Sequence, residues 1–505
     1  MTDARDRLER LTAPRTVALG AVWNVAGRLG PLVIAIAATP FLLGALGVTR
    51  FGIFTLALSL IGMFGIFDFG LGRALTRIIA TRIAAGEEHL AASSVITGIA
   101  LLTTLGAVGG GIMALLAKAF TVNMLELSPA LRQEVLIALY ILCASAPLVV
   151  VNAALWGVLS AFQRFASANL VNLPIMAMYY LGPLLALAVS DRLAAVMAVL
   201  VGCRLVMTFF YWRICIRAMP SLRDGRISLS AVLPVLRFGG WLTISNMLWP
   251  VLLHLDRFVI AATLSAAAAA WYATPFDLIV RFSIIPIAIM QTAFPAMATS
   301  YQSAPAKAAR LFRFSTTAIM VLLLPAALIV VCYAHPLLRL WLGAEFADHA
   351  SGVLVLLGVG VVFMCADTVP VAYLDGIGRP DMNALLDAGI LVLYVPALFV
   401  MISALGIEGA AWAWMLRVIA GYAARAGMAA WLHSALVLEL RRVGPAMGGC
   451  LLVLAVGAAP LPYVRWLVLP GLILVAATIW RRALLPAERG YLVTRVLAFL
   501  PARQP

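Results

Sequence analysis

Long apolar runs, separated by short clusters of charge, set the pattern of this chain. In the stretch from Gly47 to Arg82 a turn carrying only Arg50 leads into a long apolar run. That run ends at Asp68, a Phe-Gly-Leu-Gly break and the arginines Arg73, Arg77 and Arg82. About 20 apolar residues cross the ~30 Å hydrocarbon of a bilayer as a helix. Arg50 therefore marks one side of a membrane and the three later arginines the other, the cytoplasmic side if basic residues stay inside. Further runs centre near residues 30, 60, 103, 148, 178, 204, 248, 282, 322, 360, 392, 420, 453 and 474, which predicts fourteen transmembrane helices joined by short loops.

Composition widens this to the whole molecule. With 64% hydrophobic residues, 11% charged and a mean hydropathy of +1.05, the 505 residues hold too little polar surface for a water-soluble fold. The fold class is an all-α polytopic membrane protein. Alternating the helices across the bilayer places 23 lysines and arginines in inner loops and 6 (Arg50, Lys118, Arg132, Arg192, Arg339 and Arg465) in outer ones. Slipping the register by one helix would scramble that asymmetry, so both termini are expected in the cytoplasm and the first helix is expected to remain uncleaved. The net charge of +15 fits inner loops facing anionic membrane lipid. Cys143, Cys203, Cys215, Cys332, Cys365 and Cys450 fall in or at the ends of apolar runs without a CxxC spacing, so they read as small core residues.

An internal repeat sets the architecture. LSAFQRFASAN from Leu159 aligns with LDGIGRPDMNA from Leu374, which places Arg164 on Arg379 and Tyr179 on Tyr394. VGCRLV around Arg204 matches WMLRVI around Arg417, and Asn24 and Asn246 stand at similar points before a proline. Six helices separate the copies, an even number, so the halves share one orientation and an axis along the membrane normal relates them. The expected organisation is an N-lobe over residues 1–222 (helices one to six) and a C-lobe over 223–436 (helices seven to twelve). Two extra helices and a cytoplasmic tail occupy 437–505.

These stretches also carry a resemblance. GVTRFGIFTLALS with FDFGLGRALTR, FGGW and LDRFVIA between Phe238 and Ala261, YATPFDLIVRFSIIP from Tyr272, LDGIGRP from Leu374 and GIEGAAWAW from Gly406 resemble the oligosaccharide flippase branch of the multidrug/oligosaccharidyl-lipid/polysaccharide (MOP) exporter superfamily. The similarity covers roughly residues 16–435. It implies a two-lobed carrier in the inner membrane that moves a polyprenyl-diphosphate-linked glycan from the cytoplasmic to the periplasmic leaflet by alternating access. It also implies coupling to a proton, sodium or the membrane potential, and work beside a polysaccharide polymerase complex. No cofactor, metal or nucleic acid is expected, and no enzymatic activity.

The residues themselves point to an anionic substrate. Arg28 lies about 12 residues, ~18 Å, into the first helix, and Arg204, Arg281 and Arg417 are similarly deep in helices six, eight and twelve. A charge at that depth costs at least ~2.5 to 3.5 kcal/mol, so each arginine must face water, a counter-ion or a ligand. A lipid diphosphate is a dense anion, and the guanidinium fork holds phosphate oxygens bidentately. The candidate substrate contacts are Asn24, Arg28, Arg204, Asn246, Asp277, Arg281 and Arg417. Asp277 lies four residues before Arg281 and offers it a partner on the same helix face. Arg204 and Arg417 could equally tie helix six to one and twelve to seven. Arg257 is expected with Asp256 as an interfacial pair near the outer surface. Asp367, Asp375, Asp381 and Asp387 crowd the inner ends of helices ten and eleven beside Arg379, as a gate network or a capped hairpin. His254, His335 and His433 read as isolated. Pro31, Pro40, Pro250, Pro275, Pro286 and Pro295 interrupt helices one, seven and eight, where freed carbonyls must be satisfied by neighbours or cavity water.

Two other classes fit the residues less well. A drug or cation exporter of the same superfamily, the alternative reading, calls for a carboxylate in helix one, which instead carries Arg28. A polymerase or glycosyltransferase calls for catalytic carboxylates on a large external loop, yet the longest, near Lys118 to Arg132, is short and offers Glu126. No Walker motif is present, so ATP is not the expected energy source.

Overall fold

The computed structural model describes residues 14–68, 75, 78–79, 82, 87–123, 127–162, 164–190, 192–228, 248, 250–459 and 468–483. Side chains are described from residue 30 onward, apart from Asp68, Asn123, Thr292, Gln302 and Ser303. The elements are α1 (Pro14–Met63), α2 (Glu88–Asn123), α3 (Pro129–Ala144), α4 (Ala146–Ala161), α5 (Phe165–Leu187), α6 (Leu193–Ala218), α7 (250–263) and α8 (Ala266–Val280). There follow α9 (Ile284–Ser303), α10 (Pro305–Cys332), α11 (Ala334–Leu342), α12 (Ala344–Ala366), α13 (Thr368–Gly376), α14 (Pro380–Leu432), α15 (Ala435–Ala458) and α16 (Val468–Thr478). Among the described residues, 10 helical stretches are long and apolar enough to cross a membrane. The chain is thus a multi-pass membrane protein. The predicted helices near 248 and 474 border residues 229–247 and 460–467, which lie outside the described residues.

Glycine, not proline, decides where the longest helices turn. Pro31 and Pro40 sit inside α1, whose break falls at Gly47 with φ 70°. Likewise α14 runs through Pro396 and breaks at Gly406 with φ 62°. A side chain at either position would meet the steric penalty of positive φ, so glycine is the residue that can turn one predicted crossing into the next. Proline acts at one other place. Between α8 and α9 the helix tightens to a 3-10 turn at Arg281–Ser283, just ahead of Pro286. The proline ring has no N–H to donate and collides with the carbonyl four residues earlier, which disrupts the α-helical ladder at that turn.

By internal contacts the chain divides into two compact units, Met1–Ala273 and Thr274–Pro505, and the boundary falls inside α8. In the first unit α1 packs on α5, α5 on α6, and α2 on α3 and α4. Gly106 and Gly110, four apart on α2, set how close that last approach is. A Cβ at Gly106 would stand 2.7 Å from the Pro147 Cα, and one at Gly110 would stand 2.4 Å from the Cys143 carbonyl oxygen. Small residues at this spacing let backbones meet where no hydrophobic driving force separates helix from lipid.

The two ends of this unit gather the loops that charge asymmetry assigned together. Arg50 reaches Glu134 at 3.0 Å, and the other carboxylate oxygen of Glu134 accepts the Leu193 amide, so three segments predicted outside share one end. Arg82 donates to Ser94 at 2.6 Å, and the Ser228 amide donates to Thr97 at 3.0 Å, so segments predicted inside share the other.

In the second unit α10 packs against α9, α12 and α15, α12 against α14, and α13 against α9 and α14. Arg313 was assigned to an inner loop; it lies instead within α10 and is fully buried. The six cysteines are free thiols, and Cys143, Cys215, Cys365 and Cys450 are buried among apolar neighbours.

Candidate functional site

Each half of the repeat builds the same arginine–tyrosine pair. In the first unit the Arg204 guanidinium of α6 lies 5.2 Å from the ring centre of Tyr179 on α5. In the second, Arg417 lies 4.8 Å from the ring centre of Tyr394, the two residues standing on opposite sides of the Gly406 break in α14. The rings are fixed, with Tyr179 6% and Tyr394 4% exposed, while both arginines remain partly exposed. A cation held over a ring face is worth ~0.5 to 2 kcal/mol depending on its desolvation, and it leaves the in-plane N–H donors free. The Nε of Arg204 and that of Arg417 have no acceptor within the protein. What results, twice over, is a guanidinium oriented by a ring, with a buried Nε that has no partner in the protein. These contacts run to helices five and eleven of the predicted count.

The other candidates are placed less completely. Asn24 and Arg28 belong to α1 but their side chains lie outside the described residues, as does Asn246 altogether. Asp277 lies in α8 and Arg281 in the 3-10 turn that follows it directly. Asp256 and Arg257, expected near the outer surface, are buried within the protein, being 0% and 2% exposed. Tyr272 donates to Asp256 at 2.6 Å and Arg257 donates to Ser59 at 2.8 Å, so α7 is clasped on one side by α8 and on the other by α1. His335 and His433 are partnered too, with Asp348 and Tyr373 respectively, and His254 packs against Gly62.

The four aspartates of the second unit separate into distinct arrangements. Asp381 holds Arg379 bidentately at 3.0 Å in a solvent-exposed ion pair, and Asp375 accepts from Asn383 at 2.8 Å. Asp367 and Asp387 both bind Arg425, whose side chain is 8% exposed. Sequence reasoning passed over Arg425. The available signal was its place eight residues after Arg417, a little over two helical turns, which puts both arginines on one stripe of α14. Among the described residues no cluster of three or more metal-ligating side chains occurs.

A family model described as polysaccharide biosynthesis protein matches residues 45–351. The chain is 28% identical over 408 residues, 79% of its length, to a Shigella flexneri protein described as a candidate O-antigen transporter, covering 94% of that protein. It resembles the inward-facing form of a MATE family multidrug resistance transporter of the MOP superfamily with a TM-score of 0.67 and 15% identity, over 80% of this chain and 95% of that one. It also resembles a MOP superfamily transporter from Pyrococcus furiosus with a TM-score of 0.60 and 16% identity, over 86% and 96%. At these identities the solved structures speak for the fold, and the family match speaks for membership. The chain is a polytopic membrane protein of the polysaccharide biosynthesis protein family, built on the fold of the MOP superfamily transporters.

Proposed function

We propose that this protein is a flippase that carries a polyprenyl-diphosphate-linked oligosaccharide across the inner membrane, cytoplasmic to periplasmic leaflet, for cell-surface polysaccharide assembly. The observation that carries the reading is the duplicated guanidinium: Arg204 on Tyr179 and Arg417 on Tyr394, each partly exposed and each with an Nε that has no partner in the protein. A guanidinium oriented in this way, present in each copy of the repeat, suits a phosphate-bearing ligand, whose oxygens accept N–H pairs. Asn24, Arg28, Asn246, Asp277 and Arg281 are proposed as further substrate contacts. The lobes 1–222 and 223–436 would alternate access, with both termini cytoplasmic.

The test is translocation of radiolabelled lipid-linked oligosaccharide in proteoliposomes under imposed ion gradients. Transport that is lost in Arg204→Ala and Arg417→Ala while both remain folded supports the reading; unchanged transport in both overturns it. The fold shared with multidrug transporters favours a second reading, efflux of organic cations. Cation transport that neither arginine substitution impairs, with no polyprenyl diphosphate bound, would select it instead.

A further inference from the structure

Arg425 is shared by two carboxylates on different segments. Its Nη1 meets Asp367, between α12 and α13, and its Nη2 meets Asp387 on α14. Both aspartate side chains are 19% exposed and the arginine 8%, so the cluster is largely withdrawn from water and lies in an apolar bundle. The groups facing the carboxylates are Arg425, Arg417 and Tyr422, all from α14. Asp375 of α13 is directed to Asn383. Among the three directly bonded groups the formal charge is two negative against one positive. One guanidinium neutralises one carboxylate, and a second ionised carboxylate beside the first is repelled by it in a medium that screens poorly. The inner oxygen Oδ1 of Asp367 is buried and has no donor in the protein. As an anion that oxygen would have no donor to stabilise its charge, which adds to the cost of ionising both carboxylates.

We propose that Asp367, Asp387 and Arg425 form a proton-binding site in the second unit, holding one exchangeable proton on the carboxylate pair. The step is simple in balance: a proton passes from water to a carboxylate oxygen, the triad goes from net negative to neutral, and no other bond changes. Because the two carboxylates interact, the proton belongs to the pair and not to either residue. Arg417 supplies an adjustable field. Its charge partly offsets the surplus negative charge of the pair, and an anion drawn to its partly exposed guanidinium would weaken that offset and favour protonation.

The experiment uses the purified full-length protein without substrate, so its outcome is independent of what the protein carries. Infrared spectra recorded across about pH 5 to 9 should show a protonated-carboxyl stretch that disappears in a single one-proton step. In Asp367→Asn and in Asp387→Asn the remaining carboxylate is matched by Arg425, so the step should be absent from both. If one variant fails to fold, the other still reads the assignment. A wild-type spectrum without the band, or a band that persists in either folded variant, overturns the proposal. Failure here leaves the flippase reading standing, and failure of the translocation assay leaves the proton site standing.

Discussion

Arg313 of α10 and Glu439 of α15 meet at 2.7 Å with side chains 0% and 7% exposed, an ion pair withdrawn from solvent. Arg442, one turn along α15, donates to the other oxygen of Glu439 at 3.0 Å. The helix predicted as an addition to two lobes is therefore joined to the core of the second unit by a buried charge. Arg313→Met leaves the buried Glu439 with Arg442 as its remaining partner, which costs less than the ~3 to 5 kcal/mol of a fully uncompensated buried charge, whereas replacing both members of a buried pair by apolar residues of similar volume is often close to neutral. Arg313→Met should lower the melting temperature and membrane yield, and Arg313→Met combined with Glu439→Leu should recover much of the loss. Thermal melts of the wild type, Arg313→Met, Glu439→Leu and the double variant in one detergent check this; a double variant as unstable as the sum of the two singles would refute the pairing.

The duplicated arginines should act on substrate and not on folding. Arg204→Ala and Arg417→Ala each remove charge-assisted donors worth ~1.5 to 3 kcal/mol, a roughly 10- to 100-fold weakening of polyprenyl diphosphate binding. Lysine at either position keeps the charge but loses the fork, so intermediate affinity is expected. Tyr179→Leu and Tyr394→Leu should weaken binding less, by letting the guanidinium wander. Equilibrium binding with melting curves run in parallel separates these effects from unfolding.

Helix approach in the first unit gives a sharper structural test. Gly110→Val must displace the Cys143 carbonyl from 2.4 Å, while a Cβ at the next residue, Gly111, meets nothing within 4 Å. Overpacking of this kind costs ~1 to 3 kcal/mol. Gly110→Val should therefore melt clearly below the wild type and Gly111→Ala should not, on identical thermal scans.

If the carboxylate pair takes up a proton and Arg417 binds an anion, the two events are linked. An anion on Arg417 raises the proton affinity of Asp367 and Asp387, and by reciprocity protonation raises the affinity for the anion. Polyprenyl diphosphate should bind more tightly as the pH falls through the titration of the pair. Asp387→Asn should remove that part of the pH dependence and leave only the titration of the ligand's own phosphates. Binding isotherms at several pH values for both proteins make the comparison, and identical pH profiles would count against linkage.

The apolar runs, the basic asymmetry and the repeat were legible because each is information carried along one dimension. A run of about 20 apolar residues crosses a bilayer whatever it packs against. Arg204 over Arg417 and Tyr179 over Tyr394 appear as a recurrent offset before any contact is known, and Arg50 and Arg82 fall at opposite ends of their unit as charge counting placed them. Tertiary structure decided which charges meet. Arg425 finds Asp387 at a separation of 38 residues and Asp367 at 58. Arg313 finds Glu439 from what had passed for a loop. An arginine inside an apolar helix announces that it needs a partner, because an isolated charge is costly there. The sequence does not say which partner, since that depends on how close glycines such as Gly110 let two helices approach and on where Gly47 and Gly406 turn the chain.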